Sequence, residues 1–263
     1  MNELMLIRQI IFILCSISCL YAKDQINMQF IVDENYLIGH TLSLTSSHHF
    51  SSTENKQDII NFQNEVWFKD QIGYRLLPSH KKMTPTLYSH PQLQDFMILT
   101  KSLDSYKKVL QQTIEYKNFC KNQWNDYYDV SSAFIQSLTG IQFEQTFKIY
   151  ITHPNQRNGC NIGDNTICWG CSGSFEFYDL VYLWHELLHS YLPHDDISHC
   201  VIQLITDNAL RQLFNSDQEI FPLISHKYLD PLMEKIYPYW QEYLKHEDHN
   251  IFYFIEKLNA ENL

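Results

Sequence analysis

Four histidines and three acidic residues fall within the eighteen-residue stretch LWHELLHSYLPHDDISHC, from Leu183 to Cys200. Near its start, His185 and His189 are four residues apart, and residues at that spacing lie on one face of an α-helix, about 6 Å apart along its axis. Their imidazoles can therefore point at one position, and Glu186 reaches the edge of it. Zinc-dependent hydrolysis uses these groups: two neutral histidine nitrogens that bind the metal, and a glutamate carboxylate beside them.

In such a site two imidazoles and a third protein ligand hold the metal, and its open position takes a water. Zinc lowers the pKa of that water, while Glu186 takes the proton and later delivers it to the leaving amine. The flanking residues 182–184, 187–188 and 190–191 are uncharged, which is typical of a helix buried against a core. The alternative, a buried helix whose histidines bond only to backbone carbonyls, would leave costly unpaired polar groups. We therefore predict a bound Zn²⁺.

With these residues the chain resembles the zincin metallopeptidases, and within them the gluzincin branch, over roughly residues 147–214. The resemblance implies a mixed sheet whose edge strand aligns an extended peptide, with the motif helix beneath it; the run FKIYITHP, 147–154, is similar to that strand. Gluzincins of the neprilysin kind carry a glutamate ligand in the run Glu-Asn-Ile-Ala-Asp-Asn, and the similar run here, QLITDN, begins at Gln203. Asp207 then matches the aspartate that bonds to the far nitrogen of the first zinc histidine.

The third ligand is where the chain departs from the gluzincin pattern, because Gln203 replaces the glutamate and its neutral amide oxygen is a weaker zinc ligand. His199, Gln203 and Asp207 are each four residues apart and share one stripe of the second helix. That helix can pair antiparallel with the first through a turn at 193–196. His199 and Gln203 then bracket the level of the metal, and we predict one of them as the third ligand. Asp207 is predicted to hold His185, although a looser turn would let it bind the metal directly.

A peptidase also needs a hydrogen-bond donor for the oxygen that becomes negatively charged. In gluzincins a histidine or tyrosine downstream of the metal helices supplies it. The resemblance points to the run SHKYLDP, which contains His226 and Tyr228. Tyr237 and Tyr239 are later candidates, and spacing does not choose among them.

A metzincin interpretation has one feature in its favour, because Asp195 falls at the third-ligand spacing of that family. The metzincin pattern requires a glycine that lets the chain fold back, and this sequence has Leu192 there. The gluzincin resemblance is therefore preferred.

The first segment, 1–22, has the form of a secretory signal. Arg8 precedes the apolar run IIFILCSISCLYA, which is too short to span a membrane comfortably, and the mature chain is expected to begin near Lys23. We predict an exported protein, periplasmic or secreted, without a stable membrane span once the signal is removed. A retained membrane anchor is the alternative. Cys19 also suggests a lipoprotein. Ser16 argues against this alternative, because lipoprotein signals usually carry an aliphatic residue at that position.

Export would place the remaining cysteines in an oxidising compartment, where disulfides persist. Their number is odd, so at least one stays unpaired. The spacing of Cys160, Cys168 and Cys171 suggests a zinc knuckle, yet a second Cys or His pair at matching spacing is missing. We predict one or two disulfides within this segment instead. The five cysteines are Cys120, Cys160, Cys168, Cys171 and Cys200.

The whole chain has 263 residues, of which 44% are apolar, enough for one large domain or two small ones. Its formal charge of −11 gives no basic surface for phosphate backbones, so nucleic acid is not an expected partner. Periodicity predicts helices and short strands, an α+β fold, and the resemblance makes it a zincin-like domain with a small mixed sheet, a motif-bearing active-site helix and a mostly helical remainder. We expect a mainly helical N-terminal region with an initial extended segment over 23–140, and a zincin-like catalytic region with C-terminal helices over 141–263.

Local patterns predict the single elements. Amphipathic spacing predicts helices over 57–68, 93–103, 105–124, 129–140 (stopped at Gly140), 177–192 and 197–214 (capped by Asp196 or Ser198), with two more after Glu219. Residue types and alternation predict an extended segment over 28–44 and strands over 147–154 and 172–177.

These observations predict an exported zinc-dependent hydrolase, most simply a metallopeptidase that cleaves a peptide or protein with Glu186 as general base. Residues 23–140 carry no assignable chemistry. A second hypothesis is a peptidase-like binding protein that has lost turnover, because Gln203 weakens the third ligand. A third is a disulfide-stapled cell-surface module whose histidines serve only structure.

Overall fold

The computed structural model describes an α+β fold, as predicted, over residues 26–43, 56–69, 91–173, 175–215, 223–261 and 263. The signal segment predicted over 1–22, with Cys19, lies outside the described residues. The chain forms two compact units. The sheet unit contains Met28–Asn122 and Thr146–Ser174. The histidine unit contains Ile26 and Asn27 and the described residues of Gln123–Gln145 and Phe175–Leu263.

The sheet is mixed, with four strands in the order β1-β2-β4-β3. β2 runs parallel to β4, and β3 runs antiparallel to β4. The bounds are Asn27–Ile31 for β1, Thr146–Ile151 for β2, Asn155–Asn161 for β3 and Thr166–Cys171 for β4. The strand predicted over 147–154 is confirmed as β2. Its expected edge position is wrong, because β1 pairs with one side of β2 and β4 with the other.

The second predicted strand, over 172–177, is wrong. None of the described residues of that range forms a strand, residues 175–177 form a bend and a turn, and Phe177 has a φ of 62° just before the next helix. The strands lie earlier, where β3 and β4 form a hairpin around Gly163, Asp164 and Asn165, all with positive φ. The polar residues of β3 resemble a loop in the sequence, and the strand forms through its pairing with β4.

The sheet unit also contains helices. They are α1 (Glu34–Ser43), α2 (Lys56–Lys69), α3 (Pro91–Ser102) and the first half of α4 (Asp104–Thr139). The helices predicted over 57–68 and 93–103 are confirmed as α2 and α3.

The extended segment predicted over 28–44 is wrong after Ile31, where the chain turns into α1. The Asp33 carboxylate accepts the Tyr36 N–H at 2.8 Å and so satisfies one of the first amides of the helix. Every residue from Tyr36 to Leu42 is buried. Because a helix buried on all sides needs no polar stripe, its apolar and aromatic content resembled that of a strand.

α4 is one helix of 36 residues where the sequence predicted two, over 105–124 and 129–140. Trp124 and Tyr128 are both buried, so the apolar stripe continues through the gap between the two predictions. The predicted stop at Gly140 is confirmed: its φ is 70°, and a Cβ there would lie 2.6 Å from a backbone carbonyl oxygen. Among the described residues, no helix, α4 included, is apolar over enough length to cross a membrane.

The histidine unit contains the rest of α4 and the later helices. They are α5 (Tyr178–Leu188), α6 (Asp196–Gln203), a π-helix (Leu204–Leu210), α7 (Arg211–Phe214), α8 (Asp230–Tyr243) and α9 (Ile251–Ala260). The two closing helices predicted after Glu219 are confirmed as α8 and α9. The predicted caps of α6, Asp196 and Ser198, are wrong, because the Asp195 carboxylate is the cap and accepts the Ser198 N–H at 2.7 Å.

All five described cysteines carry thiols, so the disulfides predicted for the segment 160–171 are not formed in this structure. Cys168 is buried and Cys160 is exposed. Among the described residues, the group that could hold a metal ion contains histidines and no cysteine.

His153, which follows β2, shows how this fold satisfies a buried histidine without a metal. Its Nδ1 accepts the Asn155 N–H at 3.2 Å, and its Nε2 lies 2.9 Å from Oε1 of Gln112. The amide oxygen can only accept, so the ring is neutral with its proton on Nε2. Burial lowers the pKa of His153 to about 4.

Replacing His153 by Gln should flatten the pH dependence of unfolding. The unfolded chain binds a proton at this ring below pH 6.5, whereas the folded protein binds it only below about 4. Stability is therefore lost as the pH falls through this window, by roughly 3 kcal/mol from this one group. Urea unfolding of the native protein and of H153Q between about pH 4 and 6.5 measures the free energy of unfolding of each. If the two free energies change in parallel with pH, the prediction is wrong.

Candidate metal centre

A buried tryptophan fixes α5, the motif helix, to the core of the histidine unit. The ring centroid of Trp184 lies 5.0 Å from that of Trp124 and 5.1 Å from that of Phe143. Its indole N–H donates to the Ser131 hydroxyl at 2.8 Å. Packing and a directional hydrogen bond together set the rotation of α5 about its axis, so the next residue, His185, faces one defined side.

His185 is bonded to a carboxylate through Nδ1. That nitrogen lies 2.9 Å from Oδ1 of Asp207, and the exposed fractions of the two side chains are 5% and 4%. The Thr206 hydroxyl donates to the same oxygen at 2.9 Å. Because a carboxylate only accepts, Nδ1 carries a proton, and Nε2 is the nitrogen that can give a lone pair to a cation. Burial alone would lower the pKa of His185, but the charge of Asp207, joined by that of Glu186, raises it.

Three further histidine rings lie around His185. Its ring centroid is 5.1 Å from that of His189, 5.3 Å from that of His199 and 6.5 Å from that of His226. His199 in turn lies 4.8 Å from His189 and 4.9 Å from His226. We call these four rings the histidine cluster. They come from α5 and its C-terminal end, from α6, and from the segment before α8.

Distances within the histidine cluster fit a single metal ion. Nε2 of His185 and Nε2 of His189 are 3.3 Å apart. Two nitrogens bound to one tetrahedral zinc ion are separated by about 3.3–3.4 Å, given zinc–nitrogen bonds of about 2.0–2.1 Å. Ligand atoms of His185, His199 and His226 also lie within 4.8 Å of one another. The pair at 3.3 Å therefore matches the geometry of bound zinc, whereas the group of three ligand atoms within 4.8 Å contains His226 and not His189.

Three buried side-chain atoms of α6 lack hydrogen-bond partners among the described residues: Oγ of Ser198, Nε2 of His199 and Oε1 of Gln203. The last two belong to residues one helical turn apart. A buried polar atom without a partner costs about 1–3 kcal/mol, so such atoms usually mark an ion or a water. A cation suits both, because an imidazole lone pair and an amide oxygen are donors to a metal. The residues present thus fit a metal ion.

The surroundings keep two rings of the cluster neutral. Burial, and next the neighbouring histidines, lower the pKa of His189 to about 3. The same causes, in the same order, lower the pKa of His199 to about 4. Neutral imidazoles offer lone pairs to a cation, whereas protonated rings this close would repel one another. The electrostatics therefore favour metal binding over a charged histidine patch.

Glu186 lies beside the cluster and in reach of water. Its side chain is partly exposed, and its charge contributes to the raised pKa of His185. Tyr178 and Tyr182 precede it by eight and four residues and share its face of α5. The Tyr182 ring lies 5.9 Å from that of His185. The face that carries the carboxylate is thus lined by partly exposed aromatic rings.

Asn208, in the π-helix, fixes the segment that carries His226. Its Nδ2 donates to the Ile224 carbonyl at 3.0 Å, and its Oδ1 accepts the Ile224 N–H at 2.9 Å. Nδ2 also donates to the Gln203 carbonyl at 2.9 Å. This pairing holds the backbone two residues before His226 in the manner of a neighbouring strand. π-helical segments occur frequently at functional sites, where they re-aim side chains.

Of the four candidate oxyanion donors, the structure brings His226 to the cluster, and Tyr237 and Tyr239 lie on α8. Tyr228 lies behind His226: the two rings stack with centroids 5.9 Å apart and planes inclined by 9°. The Tyr228 side chain is 66% exposed. The rings of the predicted ligands His185, His189 and His199 have centroids 4.8–5.3 Å apart, and Gln203 lies one turn from His199 on α6.

Sequence reasoning missed three residues near the cluster. The His194 ring stacks on the His189 ring, with centroids 6.2 Å apart. Thr206 and Asn208, both in the π-helix, donate hydrogen bonds to Asp207 and to the Ile224 carbonyl. The run QLITDN contains both hydrogen-bonding residues, but no local pattern indicated that it would form a π-helix. That departure from helical spacing decides which way their side chains point.

No protein-family model, curated protein or solved structure matches this chain. The spacing of the motif and the distances and burial of the histidine cluster are therefore what support a metal centre.

Replacing Asn208 by Leu should loosen the segment before His226. The substitution removes both hydrogen bonds to Ile224, each worth about 0.5–1.5 kcal/mol, or about 1–3 kcal/mol together, so the Ile224 amide should exchange with deuterium about 5- to 150-fold faster. Asn215→Leu is the matched control, because Asn215 bonds to the Glu176 and Arg211 carbonyls instead. Equal protection of Ile224 in native protein and N208L would show that Asn208 does not hold this segment.

Proposed function

We propose that this protein is an exported zinc-dependent hydrolase of zincin type, most simply a metallopeptidase. The observation that carries the proposal is the 3.3 Å separation of Nε2 of His185 from Nε2 of His189, with Asp207 bonded to the opposite nitrogen of His185. A carboxylate behind a zinc histidine fixes its tautomer and makes it a better ligand. The peptide substrate is inferred from the resemblance of the motif run.

His199 is the proposed third ligand. Its ring belongs to the cluster and its Nε2 has no partner among the described residues, and zinc binds an imidazole more readily than an amide oxygen. Gln203 then stays beside the ion as a neutral group. Three neutral histidines and one open position form a known catalytic zinc set. The site departs here from the gluzincin pattern, whose glutamate would remove one positive charge.

When bound, a zinc ion supplies a water of lowered pKa and polarises the substrate carbonyl. Glu186 is the proposed general base: its carboxylate takes a proton from the attacking water as the carbon–oxygen bond forms. It then gives that proton to the leaving nitrogen as the carbon–nitrogen bond breaks. His226 is the proposed donor of a hydrogen bond to the carbonyl oxygen as that oxygen gains negative charge.

A second candidate function follows from the position of His226. Its ligand atom lies within 4.8 Å of those of His185 and His199. If His226 also binds the ion, four imidazoles complete the tetrahedron, and closed zinc sites are structural rather than catalytic. The protein would then bind zinc without turnover, as the binding-protein hypothesis states.

Zinc titration of metal-free protein should show about one tight site per chain. His199→Ala should weaken binding by more than the 10–100-fold expected for Asp207→Asn, because it removes a ligand rather than the residue that orients one. Gln203→Ala should have the smaller effect. If the protein is a hydrolase, the His226→Ala variant should still bind zinc. If the site is closed by four imidazoles, the same variant should lose zinc. Competition with a chromophoric chelator gives each Kd.

The control for this titration is His246→Ala, which removes an exposed histidine beyond α8. It should leave the Kd for zinc unchanged. A larger loss in Q203A than in H199A would make the amide the third ligand, and no zinc binding by the native protein would end the proposal.

Glu186→Gln should reduce peptide hydrolysis by about 10²–10⁴-fold while zinc content is kept, because the amide cannot accept the proton. Mass spectrometry of a peptide mixture after incubation measures cleavage. Glu176→Gln is the matched control, since Glu176 is an exposed glutamate just before α5. Undiminished cleavage by E186Q would rule out Glu186 as the base.

A further inference from the structure

Two cysteines of the sheet unit face each other across neighbouring strands. Cys160 of β3 and Cys168 of β4 are Cα partners in the antiparallel register. Directly opposite residues of such a pair have Cα atoms about 4.5–5.5 Å apart and side chains on the same face. Disulfides join cysteines whose Cα atoms are about 4.4–6.8 Å apart. The register therefore brings the two sulfurs within bridging range.

The hydrogen bonds of Tyr36, on α1, to Cys168 and to Asn158 agree with a common face for the two thiols. Burial raises the pKa of the Tyr36 hydroxyl, and the nearby sulfurs of Cys168, which is hydrogen-bonded to it, and of Cys160 raise it further. The same hydroxyl accepts a hydrogen bond from Asn158, two residues before Cys160 on β3, at 3.2 Å. Tyr150, the β2 partner of Cys168, has its ring 6.2 Å from that of Tyr36. The face that Tyr36 covers therefore carries both cysteines.

Cys171 is the next cysteine along the chain that could pair with Cys160, and strand geometry excludes that pair. It follows Cys168 by three residues in β4, and side chains an odd number of residues apart point to opposite faces of a sheet. Its own Cα partner is Asn155, and its carbonyl accepts the Tyr116 hydroxyl at 3.2 Å. A bridge from Cys160 to Cys171 would need a different register.

We propose that Cys160 and Cys168 form a disulfide across β3 and β4 when the folded protein meets a small-molecule disulfide such as oxidised glutathione. The exposed Cys160 reacts first: its thiolate attacks the oxidant, the oxidant's sulfur–sulfur bond breaks, and one glutathione thiolate leaves. The Cys168 thiolate then attacks the Cys160 sulfur and displaces the second. The two cysteine protons pass to the two released thiolates, and the oxidant gains two electrons.

The bridge would close a loop that is already folded. The hairpin between the two cysteines turns at Gly163, Asp164 and Asn165, whose positive φ values are set without any bridge. It would also tie β3, an edge strand with an irregular register between Asn155 and Asn158, to β4. Edge strands are the part of a sheet that opens most easily, so the bridge protects this one. The proposal does not depend on the hydrolase.

Peptide mapping of the full, folded chain tests the proposal. The protein is incubated with oxidised glutathione, its remaining thiols are blocked in acid, and it is digested without reductant. Asp-N cleaves before Asp164 and separates Cys160 from the later cysteines, while chymotrypsin cleaves after Trp169 and separates Cys168 from Cys171. The expected product is the peptide of Cys160 joined to that of Cys168, lighter than their sum by two hydrogen atoms.

Two matched variants accompany the mapping. Cys171→Ser should form the same linked peptide, because Cys171 lies on the other face. Cys160→Ser should leave Cys168 as a thiol that is blocked and not bridged. A product that joins Cys160 to Cys171, a Cys160 that carries only glutathione, or two unreacted thiols in the native chain would each overturn the proposal.

Discussion

The hydrogen bond between Asp207 and His185 is the interaction on which the rest of the centre depends. Both side chains are almost completely buried, and the Thr206 hydroxyl donates to the same carboxylate oxygen. The bond fixes the proton of His185 on Nδ1, which leaves Nε2 as a lone-pair donor 3.3 Å from Nε2 of His189. Without this carboxylate, the buried ring would be free to choose the other tautomer and would offer a ligand atom on the wrong side.

Several elements of the histidine unit position the residues of this interaction and of the cluster around it. Trp184 fixes the rotation of α5, and the Asp195 cap sets where α6 begins. The π-helix then turns Asp207 towards His185, while Asn208 pairs with the backbone before His226. The four imidazoles of the histidine cluster thus come from three separate segments of the chain. Burial keeps two of them neutral, which is the protonation state that a divalent cation requires.

The sequence predicted the parts of this structure that follow from local spacing. His185 and His189 share a helix face because they are four residues apart, and α2, α3, α8 and α9 follow from amphipathic periodicity. The errors arise where tertiary contacts decide. β3 is polar and forms only by pairing with β4, and α1 resembles a strand because it is buried on all sides. Spacing also could not choose between His226 and Tyr228, because a segment held by Asn208 decides which ring reaches the cluster.

The number of imidazoles that would bind the proposed zinc ion separates a catalytic centre from a closed one. Three histidines leave a position for water beside Glu186, whereas four close the site. X-ray absorption at the zinc edge of the metal-loaded protein counts them directly. A hydrolase centre should show three imidazole nitrogens and one oxygen at about 2.0–2.1 Å. Four imidazoles without an oxygen would contradict hydrolysis, and a shell without imidazole scattering would contradict the metal centre itself.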